Sequence, residues 1–194
     1  MDFIKTLKKY GVLKKQKGGT VQCEISGKPG QFLNAFFDNI KLKEYKKVEN
    51  LLLCNIPQEL IEFYKAYNGI SLFSTSLQIY GISQYDDFET LDTLDIMKQN
   101  LNSKLFIKCP KFSDMFIFGS YGYYCFCYKK IYDGNIYVIG TREKKVVHNF
   151  STLDGLLNYY IEHLSAEYSS DGIKLHPEES RIGSYDENVS YEFI

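Results

Sequence analysis

The chain has 194 residues, is 44 % hydrophobic and 24 % charged, and carries a net charge of -1. That length buries a substantial core without disulfides or a metal, and the near-neutral charge excludes the strong basic field of a protein that holds nucleic acid through its phosphates. The charge is divided unevenly: residues 1–50 hold 11 Lys against 5 acidic residues (+6), whereas residues 51–194 hold 12 Lys and Arg against 19 acidic residues (-7). A basic leading segment on an acidic body reads either as self-complementary packing or as a surface that steers a basic partner.

Nowhere does the chain approach the roughly 18 consecutive apolar residues of a membrane span, and Met1–Lys9 lacks a signal-peptide apolar core, so a soluble cytoplasmic protein is expected. The five cysteines, Cys23, Cys54, Cys109, Cys125 and Cys127, are odd in number and scattered, which fits reduced thiols. Seventeen tyrosines stand beside no tryptophan, and the Lys, Ile and Asn content suits a biased genome as well as a binding function.

In chain order, the pattern predicts a short helix over Phe3–Tyr10, a glycine break at Gly18-Gly19, a strand over Thr20–Ser26 and a helix over Gln31–Ile40, with Gly27-Lys28-Pro29-Gly30 as the turn between the last two. Lys14-Lys15-Gln16-Lys17 reads as a solvated basic run or as a contact for phosphate or an acidic surface. Two helices follow, Glu44–Cys54 and Pro57–Tyr67. The second opens with Pro in its first turn and stops on Asn68-Gly69, and Leu60, Ile61, Tyr64 and Tyr67 share its apolar face.

A sheet is needed to cover those faces. Its expected strands are Leu77–Ile82, Lys104–Lys108, Met115–Gly119, Tyr123–Tyr132, Asn135–Gly140 and Lys145–Asn149, with a helix over Leu91–Asn102 crossing one edge. Asp133-Gly134 has the residues of a tight type I′ hairpin turn, and the short connections predict antiparallel pairing. A last helix starts at a Ser151 cap with Asp154, and repeats Leu153, Leu156, Leu157, Tyr160, Ile161 and Leu164 on one face. Beyond Ala166 the chain reads as an acidic mobile tail, whose ending Val189–Ile194 has the character of an edge strand. The fold class is therefore α+β, a single domain with a mainly antiparallel sheet of about six strands and helices packed on it, divided as an extension over 1–44, a core over 45–166 and a tail over 167–194.

Two blocks carry a family resemblance: Ile56-Pro57, Glu59-Leu60-Ile61, Phe63-Tyr64 and Asn68-Gly69, running into Ile79-Tyr80-Gly81; and Phe116-Ile117-Phe118-Gly119-Ser120-Tyr121-Gly122-Tyr123-Tyr124, then Ile136-Tyr137-Val138 and the closing helix from Ser151. Together they resemble the SUKH superfamily over residues 45–165, a group typified by a yeast cell-wall regulator and many small bacterial proteins. Tyr121 and Tyr123 depart from it, standing where the family usually has a small or acidic residue beside the second glycine.

Catalytic groups do not converge in the sequence. His148, His163 and His176 read as structural or solvated, and Cys125 and Cys127, two apart on a strand, lack the second ligand pair of a zinc site. Gly119-Ser120-Tyr121-Gly122 is neither a phosphate loop nor a nucleophile elbow. No cofactor, no metal site and no enzymatic activity are expected. Asp86, Asp87, Glu89, Asp92 and Asp95 form an acidic stretch that reads as a solvated or helix-capping segment, as a partner-binding surface, or as metal-binding carboxylates. The resemblance implies an immunity protein that binds and neutralises a cognate toxin, often a nuclease, without chemistry of its own. Under that expectation the partner is a protein, with neither nucleic acid nor membrane bound directly. The five acids would steer encounter, and Tyr121, Tyr123 and Tyr124 would anchor the interface. The yeast relative implies a different role, an intracellular regulatory scaffold with several partners.

Overall fold

The computed structural model describes residues 3–84, 91–103 and 109–175. Among them the helices are α1 (Phe3–Leu7), α2 (Leu42–Leu52), α3 (Gln58–Ala66), α4 (Ile96–Leu101) and α5 (Leu153–Glu167). The strands in the first half are β1 (Lys14–Gln16), β2 (Gly19–Glu24), β3 (Phe32–Asp38), β4 (Tyr67–Leu72) and β5 (Leu77–Ile79). The second half supplies β6 (Met115–Tyr121), β7 (Tyr124–Lys129), β8 (Ile136–Gly140) and β9 (Lys145–Phe150). Each strand pairs antiparallel with the next in sequence, so the nine described strands form one meander in the order β1 to β9. The α+β class holds, with more strands than the sequence pattern indicates.

The helices form where apolar residues recur at helical spacing. In α2, Tyr45, Val48 and Leu52 are buried while Lys43, Lys46 and Lys47 face solvent. Buried Leu60, Phe63 and Tyr64 form the corresponding stripe of α3, and the Tyr45 and Tyr64 rings stack at 4.0 Å. Leu156, Leu157, Tyr160, Ile161 and Leu164 are all at most 2 % exposed on α5, and each such side chain contributes about 1.5–3 kcal/mol relative to exposure. On the sheet, Phe118 lies 4.5 Å from Tyr128, and Phe126 meets Tyr160 of α5 at 5.0 Å.

The expected helix over Gln31–Ile40 is instead strand β3, held between β2 and β4. Its Asn34 is fully buried and satisfied from both sides, donating to Gln22 Oε1 at 3.0 Å and accepting from the Phe73 backbone N–H at 3.1 Å. The helix expected to stop on Asn68-Gly69 ends at Ala66, and that pair belongs to β4. Asp133-Gly134 sits in a six-residue connection, residues 130–135, rather than a two-residue turn. There Asp133 accepts from Tyr137 Oη at 2.6 Å and pairs with Lys129 at 2.9 Å. The cap of α5 is Thr152, whose hydroxyl accepts from the Gly155 N–H at 3.1 Å, not Ser151. The strand expected over Lys104–Lys108, and the chain from His176 onward, lie outside the described residues.

The leading segment joins the body through apolar packing and side-chain bonds to a carbonyl of α5. Phe3 and Leu7 are each 1 % exposed, and Lys9 and Tyr10 both donate to the Ser165 carbonyl at the end of α5. Lys15 pairs with Asp38, inside the basic segment itself.

Candidate functional site

The residues at the base of the acidic stretch are tied into the fold. Asp95 caps α4, its Oδ1 accepting from the Lys98 N–H at 2.8 Å and its Oδ2 from the Ser83 N–H at 3.2 Å. Asp92 Oδ2 accepts from Ser83 Oγ at 2.7 Å and from the Gln84 N–H at 3.0 Å, and its Oδ1 takes the Thr93 N–H at 2.9 Å. These two acids therefore hold the loop rather than present a free charged surface. Asp86, Asp87 and Glu89 lie outside the described residues.

The same region shows why the two sequence blocks take the residues they do. Asn68, 2 % exposed, accepts from Tyr45 Oη at 2.6 Å and the Ile82 N–H at 2.9 Å, and donates to the Ile82 carbonyl at 2.8 Å. Gly81 passes so close that a Cβ there would lie 1.8 Å from the Asn68 carbonyl oxygen. Tyr64 Oη donates to the Tyr80 carbonyl at 2.8 Å. Glu59 joins three elements: it accepts from Tyr128 Oη on β7 at 3.0 Å and from the Leu153 N–H opening α5 at 2.6 Å. The blocks specify joints of the fold.

The tyrosines at the β6–β7 turn are separated by the turn itself, where Gly122 at φ +51° takes the chain off the β6 face before Tyr123. Tyr121 is 7 % exposed and packs on Tyr160 at 5.1 Å, within the core. Tyr124 is half-buried, with burial pushing its hydroxyl pKa up, Glu143 adding to that and Arg142 opposing it. Tyr123 is 57 % exposed at the turn. The β8–β9 turn comes alongside, because the Thr141 N–H and Oγ1 both donate to the Tyr123 carbonyl, at 2.9 and 2.8 Å. Arg142 of that turn lies over the Tyr123 ring with its guanidinium carbon 3.4 Å from the centroid. The sequence gives no sign of this pairing, since Thr141-Arg142-Glu143-Lys144 has the composition of any solvated turn.

Between the paired turns and α4 lies a cleft of about 540 Å³. Ile117, Tyr80, Cys109 and Cys125 give it an apolar lining; Lys98, Gln99 and Asn102 reach it from α4, and Thr141 and Lys144 from the β8–β9 turn. Asn100 fixes α4 there, donating to the Ile117 carbonyl and accepting from its N–H, both at 2.8 Å, where β6 bulges.

The other chemistry-bearing groups sit apart. Cys127 is fully buried on β7, and burial pushes its thiol well up; the Cys125 thiol is pushed up to about 11 for the same reason. His148 lies in β9 against the Tyr159 and Phe150 rings, and His163 Nδ1 contacts the Tyr159 carbonyl at 2.6 Å. His176 lies outside the described residues. Among the described residues, no group of three or more His, Cys, Asp or Glu is placed to hold a metal ion, and no helix is long and apolar enough to cross a membrane.

A family model for the SMI1 / KNR4 family (SUKH-1) matches residues 39–159, from just after β3 into α5. The chain belongs to that family. The match takes in Asn68, Gly81, Glu59 and Tyr64, so the joints described above fall inside the SMI1 / KNR4 domain. It also takes in the cleft and both turns, whereas β1, β2 and β3 precede it. No curated protein and no solved structure matches this chain.

Proposed function

We propose that this SMI1 / KNR4 family protein is an immunity protein, which binds a cognate toxin domain in the cytoplasm and neutralises it by occlusion, without catalysis. The observation that carries the reading is the Tyr123–Arg142 pair, an exposed aromatic ring and a guanidinium held together at 3.4 Å on two tied turns. Tyr and Arg are the residue types that dominate binding energy in protein interfaces, and a pre-positioned pair loses little side-chain entropy on binding. Family membership supports the same reading, since SUKH domains are known in toxin immunity and related roles. Tyr124 borders this surface. The acids Asp86, Asp87 and Glu89, with the body's charge of -7, suit steering toward a basic groove such as a nuclease presents.

The test is co-purification from the protein's own cells, comparing the native chain with Tyr123→Ala and Arg142→Ala. One stoichiometric toxin-like partner is expected, with affinity reduced roughly thirtyfold by either change, corresponding to about 2 kcal/mol. Undiminished binding by both variants would remove this surface from the reading. A regulatory scaffold is favoured by a separate observation: Leu51, Leu53 and Ile131 are 68 %, 82 % and 83 % exposed, near one another through the Asn55 N–H to Lys130 carbonyl bond of 3.0 Å. Recovery of several substoichiometric partners that depend on those residues would select the scaffold.

A further inference from the structure

The cleft beside the paired turns has a chemistry that a protein-binding rim does not call for. Its described lining combines two cations, Lys98 and Lys144, with amide and hydroxyl groups from Gln99, Asn102 and Thr141, and contains no carboxylate. Neither ammonium enters an ion pair among the described residues. Of the neighbouring acids, Asp95 has both oxygens occupied by backbone N–H groups, and Glu143, next to Lys144 in the turn, lays its carboxylate over Gly140 and is not part of the lining. Below these polar groups, Ile117 is 3 % exposed and Cys125 is half-buried. A volume of about 540 Å³ falls within the ordinary range for sites that enclose a small molecule.

Two features hold the cationic side in place. Lys98 follows the Asp95 cap on α4, which Asn100 fastens to β6. Lys144 sits at φ +55°, a left-handed conformation that costs a residue with a Cβ about 1–2 kcal/mol, and its N–H closes the turn onto the Gly140 carbonyl at 2.8 Å. The Cys125 thiol remains protonated at neutral pH, because burial raises it to about 11, so it offers a contact surface rather than a nucleophile.

We propose that this cleft binds a small organic anion, its carboxylate or phosphate group held by Lys98 and Lys144 and its apolar body resting on Ile117 and Cys125. The site is independent of the toxin reading, since it is tested on the chain alone. Carboxylate and phosphate share the chemistry on which the site selects, so three probes separate them: phenylacetate, phenyl phosphate and the uncharged benzyl alcohol, each titrated into the isotope-labelled full chain and followed by amide NMR.

Saturable shifts of Gln99, Asn102, Ser103, Thr141 and Lys144 are expected with one or both anions and not with benzyl alcohol. Stronger binding of phenyl phosphate assigns a phosphate ligand, and stronger binding of phenylacetate a carboxylate. Lys98→Ala and Lys144→Gln should each weaken the binding roughly tenfold, the scale of one charge-assisted hydrogen bond, with the rest of the spectrum preserved as proof of folding. Absence of saturation up to about 10 mM, equal shifts at Lys14, Lys15 and Lys17, equal binding of benzyl alcohol, or indifference to both substitutions would each overturn the proposal.

Discussion

The base of the loop that leads into α4 and the paired turns at the ends of β6 and β8 are equally rich in polar side chains, yet they use them in opposite ways. At the loop base, Asn68, Asp92 and Asp95 direct their side-chain oxygens and nitrogens into the protein, toward backbone groups of Ile82, Ser83, Gln84 and Lys98. At the turns, Tyr123 and Arg142 face outward and Lys144 lines the cleft, and what fixes them is the backbone beneath. Of the acidic stretch, Asp92 and Asp95 take the helix-capping and loop-holding reading, with their hydrogen-bonding capacity used inside the fold. The exposed Tyr123–Arg142 pair and Lys144 lie on the turns instead.

The comparison breaks most sharply at Asn68. Replacing it with Ala removes three hydrogen bonds and leaves the buried Tyr45 hydroxyl and both partly buried backbone groups of Ile82 without their partner. Each stranded group costs about 1–3 kcal/mol, so Asn68→Ala should lower the unfolding free energy by about 3 kcal/mol in urea denaturation. A loss below about 1 kcal/mol would mean that the loop base is not a structural joint.

A smaller effect sharpens the contrast. Asp95→Ala removes a helix cap and a bond to Ser83, and should cost about 1–2 kcal/mol, whereas Tyr123→Ala on the exposed turn should alter stability by no more than about 0.5 kcal/mol. Thermal melts of the two variants side by side give the answer, and equal losses would erase the distinction between a residue that holds the fold and one displayed on it.

How far the sequence carried this distinction follows from what each signal encodes. The helical stripes of α2, α3 and α5 are visible because burial of one face imposes a period of 3.6. Across residues 31–40, Leu33, Phe36, Phe37 and Ile40 happen to fall at that same spacing, and only pairing with β2 and β4 makes β3 a strand. The buried Asn34–Gln22 bond that completes it joins residues 12 apart in sequence, which no local pattern displays. At the site, strand alternation would put Tyr121 and Tyr123 on one face, and it is the turn at Gly122 that leaves Tyr121 buried and Tyr123 exposed, although both lie in one aromatic run. Arg142 and Lys144 gave no signal at all, because their significance comes from the Thr141 bonds to the Tyr123 carbonyl, made across 18 residues.

The least of the expected effects concerns pH. His148, in β9 away from both regions, is partly covered by the Tyr159 and Phe150 rings, and that burial lowers its pKa from the ordinary 6.5. The unfolded chain then binds a proton at His148 more readily than the folded one, so unfolding free energy rises with pH wherever the two differ. The contribution is complete above about pH 6.5 and is lost as pH falls through the lowered folded pKa. His148→Gln should therefore flatten the stability profile below pH 6.5 and leave it unchanged at pH 8, measured by urea denaturation across that range. An unchanged acid limb would show that the two rings leave the imidazole as well hydrated as in the unfolded chain. The loop base should be indifferent to this substitution, because Asn68 and its partners Tyr45 and Ile82 do not titrate between pH 5 and 8.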